Sequence, residues 1–150
     1  LIMKKLLFVF LLTFPIMVFG QSMNIKWEDR EGREFSVNSH SGKFTYSMVP
    51  GDNLYYNTGS YRDTGPKNTI KSIGSVDVYW NTGSYKDTGE KGTIKKVGSV
   101  DIYWNTGSYK DTGEKGTIKS VGGLTINYNT GSYRDSGPKG TIKNTSGSVN

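Results

Sequence analysis

The first residues in this chain that could do chemistry are four copies of one acidic tripeptide. Asp-Thr-Gly stands at 63–65, 87–89 and 111–113, and Asp-Ser-Gly at 135–137. Two such carboxylates facing each other can share a proton and activate water against a peptide bond. That chemistry needs the tripeptide after an apolar strand, in a buried loop. Here Tyr-Lys or Tyr-Arg precedes each copy, and Pro-Lys or Glu-Lys follows it. The pattern suits a turn in which Asp caps its own backbone and Gly takes a positive φ. Hydrolysis is the third reading of this chain, behind two without catalysis.

Other reactive groups are sparse. The chain has no Cys, which excludes a disulfide framework and a thiolate metal site. His40 is the only His and sits beside Ser39 and Ser41 in a loop composition, where a solvated ring is expected. Neighbours in sequence rarely reach the geometry of a nucleophile and its base. Asp63, Asp87, Asp111 and Asp135 could offer oxygen to calcium, but the Gly-Gly-x-Gly lead of oxygen-dense calcium repeats is missing. The expectation is no catalytic residue, no metal and no cofactor. Thr58, Thr82, Thr106 and Thr130, and again Thr69, Thr93, Thr117 and Thr141, recur singly and do not alternate within one strand, so the Thr-rows of an ice-ordering face are not written here.

What remains is a ladder of Tyr61, Tyr85, Tyr109 and Tyr133 beside Asn57, Asn81, Asn105 and Asn129. A Tyr ring can stack on the apolar face of a sugar while amides take its hydroxyls. Repeated at a fixed interval, weak contacts accumulate by multivalency. These eight residues are the candidate ligand-binding set; the alternative is that the Tyr rings pack across the loops and the Asn side chains cap turns.

The elements that must position them are a tandem repeat. Asn-Thr-Gly-Ser-Tyr begins at 57, 81, 105 and 129, a period of 24 residues, and each of the first two units matches the next at 18 of 24 positions. The last unit is partial and ends near residue 143. Residues 21–56 read as N-terminal strands with a worn copy, in which Trp27 and Tyr56 extend the series Trp80, Trp104 and Tyr128. Residues 144–150 read as a polar, frayed tail. In each unit two β-rich runs flank Gly74-Ser75, Gly98-Ser99 or Gly122-Gly123, which predicts hairpins with type II′ turns. The register pairs Val97 with Val100, Lys96 with Asp101 and Ile94 with Tyr103. Residues 81–92 read as an ordered loop, or as a short extra strand near Ser84–Asp87.

The fold expected is all-β, an antiparallel hairpin meander forming an elongated single layer or a curled sheet. The alternative is a parallel β-solenoid, which would stack Asp on Asp and Lys on Lys at strand spacing, a costly arrangement. Scarce Leu and Glu and an absence of Ala exclude a helical bundle.

The units GTIKKVGSVDIYW and NTIKSIGSVDVYW resemble the G-x-[IL]-K-x-[IV]-G repeats of small exported bacterial proteins, over residues 57–143. The resemblance implies an exported β-repeat and transfers no activity. Tyr/Gly-rich MORN-type repeats differ in their regular Gly spacing.

The start of the chain agrees with export. Lys4 and Lys5 precede an apolar run to Phe19, and Gly20 precedes Gln21, the layout of a signal peptide over residues 1–20. The run is shorter than the ~20 residues a spanning helix needs, so no membrane span is expected after cleavage. From Gln21 on there are 17 Lys and Arg against 13 Asp and Glu, with signs interleaved, which does not point to nucleic acid. The expectation is a non-catalytic binding module, periplasmic or extracellular, for a glycan or another repetitive envelope ligand. The alternative is a structural protein that self-associates through unpaired strands.

Overall fold

The computed structural model describes residues 21–150; residues 1–20, over which a signal peptide is expected, lie outside them. Among the described residues there are eleven strands and no helix. In chain order they are β1 Asn24–Glu28, β2 Glu34–Asn38, β3 Phe44–Tyr46, β4 Leu54–Tyr56, β5 Ile70–Ile73, β6 Val76–Trp80, β7 Ile94–Val97, β8 Val100–Trp104, β9 Ile118–Val121, β10 Leu124–Tyr128 and β11 Ile142–Ser146. All nine pairings are antiparallel. β1–β3 form one sheet and β4–β11 a second, each strand beside its chain neighbour. β4 and β11 do not meet, so the second sheet is open. The antiparallel meander is the arrangement the hairpin turns predict; the solenoid is not formed.

Val97 pairs with Val100 and Lys96 with Asp101, and the two charges lie 3.2 Å apart. Gly98 has φ +57° while Ser99 does not enter the positive-φ region, as a type II′ turn requires. The third expected rung does not form. Ile94 stands opposite Trp80 on the other edge of β7, because the ladder from β6 skips Lys95. That skip is a β-bulge, and it recurs at Lys71, Lys119 and Lys143. A bulge re-aims the extra side chain, and each of these lysines turns toward the loop that precedes its strand.

Alternation decides which face is buried. Val78, Val97, Ile102, Val121 and Ile126 point inward, while Asp77, Tyr79, Lys96 and Tyr103 point outward. Ile25, Trp27, Phe35 and Val37 give the smaller sheet its own apolar face, and both sets join one core. The large sheet is therefore not a bare layer: residues 21–46 cover part of one side. β3 pairs only with β2, so Phe44–Tyr46 belongs to the cover and not to a hairpin with β4.

Two polar ties fix the cover. Near the hairpin-turn end, buried Arg33 donates to both carboxylate oxygens of Asp52 at 2.8 Å and to Asp29 at 2.8 Å. Near the loop end, the Ser39 carbonyl accepts the Ile118 N–H at 2.8 Å. His40, expected as a solvated ring, also ties this end down. Its Nε2 lies 2.9 Å from the Gly140 carbonyl and its Nδ1 3.0 Å from Ser39 Oγ. Nε2 must donate to the carbonyl, so Nδ1 of the neutral ring accepts from the Ser39 hydroxyl.

The C-terminal residues are not frayed. Thr145 and Ser146 pair with Ile126 and Thr125, and Val149 packs against the core beside Gly122.

Candidate functional site

The four long loops, residues 57–69, 81–93, 105–117 and 129–141, emerge at one end of the large sheet, opposite the hairpin turns. They contain no strand. In the second, buried Asn81 is the hub. Its amide donates to Thr93 Oγ1 at 2.8 Å, its Oδ1 accepts the Thr88 N–H at 3.0 Å, and its backbone N–H bonds to the Thr93 carbonyl at 2.8 Å. Thr93 Oγ1 donates in turn to the Glu90 carbonyl at 2.6 Å. Asn57, Asn105 and Asn129 make the same amide bond to Thr69, Thr117 and Thr141. All four Asn are buried, with their side-chain polar groups bonded inside the loop. They close loops and present nothing to a ligand.

The Asp of each Asp-Thr-Gly or Asp-Ser-Gly is equally occupied. Asp87 Oδ2 accepts three backbone N–H groups, from Thr82, Gly83 and Ser84, at 2.6–2.8 Å. Its Oδ1 lies 3.3 Å from the ammonium of Lys95, the bulge residue. Burial by itself would raise this carboxyl. The N–H groups of Gly83 and Ser84, the Lys95 ammonium and the Thr82 N–H outweigh it and hold the group below the usual range. Asp63 and Asp135 are held low by equivalent donors. A carboxylate saturated this way is a structural acceptor, not a base for water. The cap reaches backward along the chain, and the positive φ belongs to Gly83 of Asn-Thr-Gly. Gly89 of Asp-Thr-Gly serves a different need, because the Trp104 indole lies directly on it.

Trp104 locks the loop to the next hairpin. Its backbone N–H donates to the Thr88 carbonyl at 2.9 Å and its indole N–H to the Ile94 carbonyl at 2.8 Å. Trp80 repeats both bonds with Thr64 and Ile70. Tyr128 does so through its hydroxyl, donating to the Ile118 carbonyl at 2.7 Å. Burial pushes that hydroxyl up to about 12.

With the loops held this firmly, their tips are the tyrosines. Tyr61, Tyr85, Tyr109 and Tyr133 are 88–91% exposed. A cation lies over each ring: Arg62, Lys86, Lys110 and Arg134, at 5.2–5.5 Å from the centroid. Tyr and Asn of the candidate set thus part company, four rings outside and four amides inside.

No family model, curated protein or solved structure matches this chain.

The site therefore rests on its own geometry, and that geometry includes a feature the ladder did not reveal. Between successive loops on the outer face of the large sheet lie three equivalent clefts of about 330, 330 and 420 Å³. Tyr79 and Tyr103 line the first two, and Asn127 takes their place in the third. Lys86, Lys110 and Arg134 line them in turn. The strand alternation Asp77, Tyr79 and Asp101, Tyr103 signals outward-facing tyrosines in the sequence. Nothing in one unit alone reveals that two adjacent loops enclose a cleft above them.

A larger cavity of about 490 Å³ opens at the hairpin-turn end, between Glu28–Glu31 and Gly98–Val100. Asp29 there is committed to Arg33. Among the described residues no three His, Cys, Asp or Glu side chains are grouped to hold a metal ion.

Proposed function

We propose that this chain is an exported, non-catalytic binding protein whose row of loops forms a multivalent surface for a repetitive ligand, a glycan or envelope polymer. One observation carries the reading. Four tyrosines stand almost fully exposed on loops whose Asn and Asp side chains are tied down. Folding gains nothing from leaving a large ring in water, so four rings at equivalent positions suit contact with a partner. One face of each ring meets its own cation; the other is open to stack on a sugar. Each contact is weak, and four on one rigid ridge bind by avidity.

The test is retention of the purified protein on insoluble polysaccharides, against a variant with Tyr61, Tyr85, Tyr109 and Tyr133 all replaced by Ala. Saturable retention that the variant loses is expected. Failure of every polymer to retain the folded protein would leave self-association as the reading, through the edges of β4 and β11. Tyr55 and Tyr56 on β4 are each about half exposed, which favours that edge.

A further inference from the structure

We infer that the ligand is an acidic polysaccharide, whose carboxylates are received one per cleft by Lys86, Lys110 and Arg134. The inference rests on the glycan reading above and narrows it to a charge class. Its basis is the division of charge across the fold. Residues 57–71, 81–95, 105–119 and 129–143 hold twelve Lys and Arg and six Asp and Glu, whereas the rest of the chain from Gln21 holds five and seven. The net positive charge of the described chain is therefore concentrated on the loop end.

The acids at that end are already spent. Asp63, Asp87, Asp111 and Asp135 have side chains less than a tenth exposed, each near its bulge lysine. Glu90 pairs with Lys115 at 3.0 Å and Glu114 with Lys139 at 3.4 Å. Six of the twelve cations then have no ion pair among the described residues, and Lys86, Lys110 and Arg134 are three of them. Each lines its own cleft, beside Tyr79 in the first, Tyr103 in the second and Asn127 in the third. In the first two clefts cation and aromatic floor together match a ring that carries a carboxylate, and in the third the Asn127 amide stands where the aromatic floor would be. A neutral glycan would leave the cations without a counter-charge.

The interval sets a second condition. Equivalent residues lie two strands apart in the sheet, roughly 9.5 Å, about the length of two pyranose rings in an extended chain. A polymer with a uronate at every second ring would place one carboxylate in each cleft without bending. Duplex nucleic acid offers far denser charge and no exposed sugar face for the tyrosines.

The experiment is affinity electrophoresis of the purified protein in gels containing hyaluronan, carboxyl-reduced hyaluronan or duplex DNA. Two variants run beside it: Lys86→Gln/Lys110→Gln/Arg134→Gln, and the four-Tyr→Ala variant. Expected are retardation by hyaluronan, little by the carboxyl-reduced polymer or DNA, and roughly tenfold or greater weakening in the charge variant from three exposed ion pairs acting together. Circular dichroism confirms that each variant is folded. Equal retardation by the reduced polymer, unaffected in the charge variant, would overturn the acidic assignment and leave glycan binding standing. Equal retardation by DNA would overturn it as general polyanion attraction. Retardation by neither glycan, with the protein folded, would overturn this inference; if the insoluble polysaccharides also fail to retain the protein, the glycan reading falls with it.

Discussion

The Trp104 indole rests on Gly89 so closely that a Cβ on the glycine would collide with Trp104 Cδ1. The ring cannot retreat, because its N–H is bonded to the Ile94 carbonyl and its backbone N–H to Thr88. Gly89→Ala should therefore destabilise the protein by about 1–3 kcal/mol through overpacking. Gly137 has no ring above it, and its nearest neighbours are the Asn129 amide and the Thr141 hydroxyl, at 3.1 and 3.3 Å. Gly137→Ala should cost less. Urea denaturation of both variants makes the comparison, and equal losses would mean that the aromatic lock is not what requires glycine.

Asn and Tyr of the candidate set should separate in the same assay. Asn81→Ala leaves the half-buried Thr88 N–H without its acceptor and Thr93 Oγ1 without its donor. A loss of about 1–3 kcal/mol is expected. Tyr85→Ala removes a ring that is 91% exposed, and stability should change by no more than about 0.5 kcal/mol. A large loss for Tyr85→Ala would show that the ring supports the loop and is not reserved for a partner.

The Arg33 tie makes stability depend on acid. Hydrogen bonds from the Arg33 guanidinium, then from the Val49 N–H, hold the Asp52 carboxyl down to about 2. In an unfolded chain the group titrates near 3.9. A depressed carboxyl contributes stability that is present above the unfolded value and is lost as pH falls through the folded one. Thermal melts from pH 7 downward should show Tm falling between about pH 5 and pH 2. Asp52→Asn should lower Tm at pH 7 and fall less steeply in acid. Parallel curves for the two proteins would place the acid sensitivity elsewhere, on Asp29, Asp63, Asp87 or Asp135.

The cross-strand pair is a weaker matter. Lys96 and Asp101 lie 3.2 Å apart with each side chain more than a third exposed. A double-mutant cycle with Lys96→Gln and Asp101→Asn should give a coupling of about 0.2–1 kcal/mol, shrinking in high salt. A coupling above that range would mean the hairpin depends on this rung far more than solvent screening allows.

The hairpins were legible because their signals are local. Gly98-Ser99 sets the turn, alternation sets the buried face, and Lys96–Asp101 sets the rung, all within a dozen residues. The exposure of Tyr85 was only half legible, because a ring in a polar loop can either pack across the loops or face solvent. The burial of Asn81 was not. Asn looks alike whether it meets solvent or closes a loop, and only the return of Thr88 and Thr93 to its side chain tells the two apart.

Residue order by itself determined an all-β chain of antiparallel hairpins, since turn type, strand period and the 24-residue repeat are properties of neighbouring residues. Three features belong to the tertiary structure: the cover formed by residues 21–46, the bulges that turn Lys71, Lys95, Lys119 and Lys143 onto their aspartates, and the clefts between adjacent loops. Each depends on surfaces far apart in sequence meeting across one core. Such a meeting is decided by the packing of the assembled sheets and by where the buried polar groups find partners, which no single unit specifies.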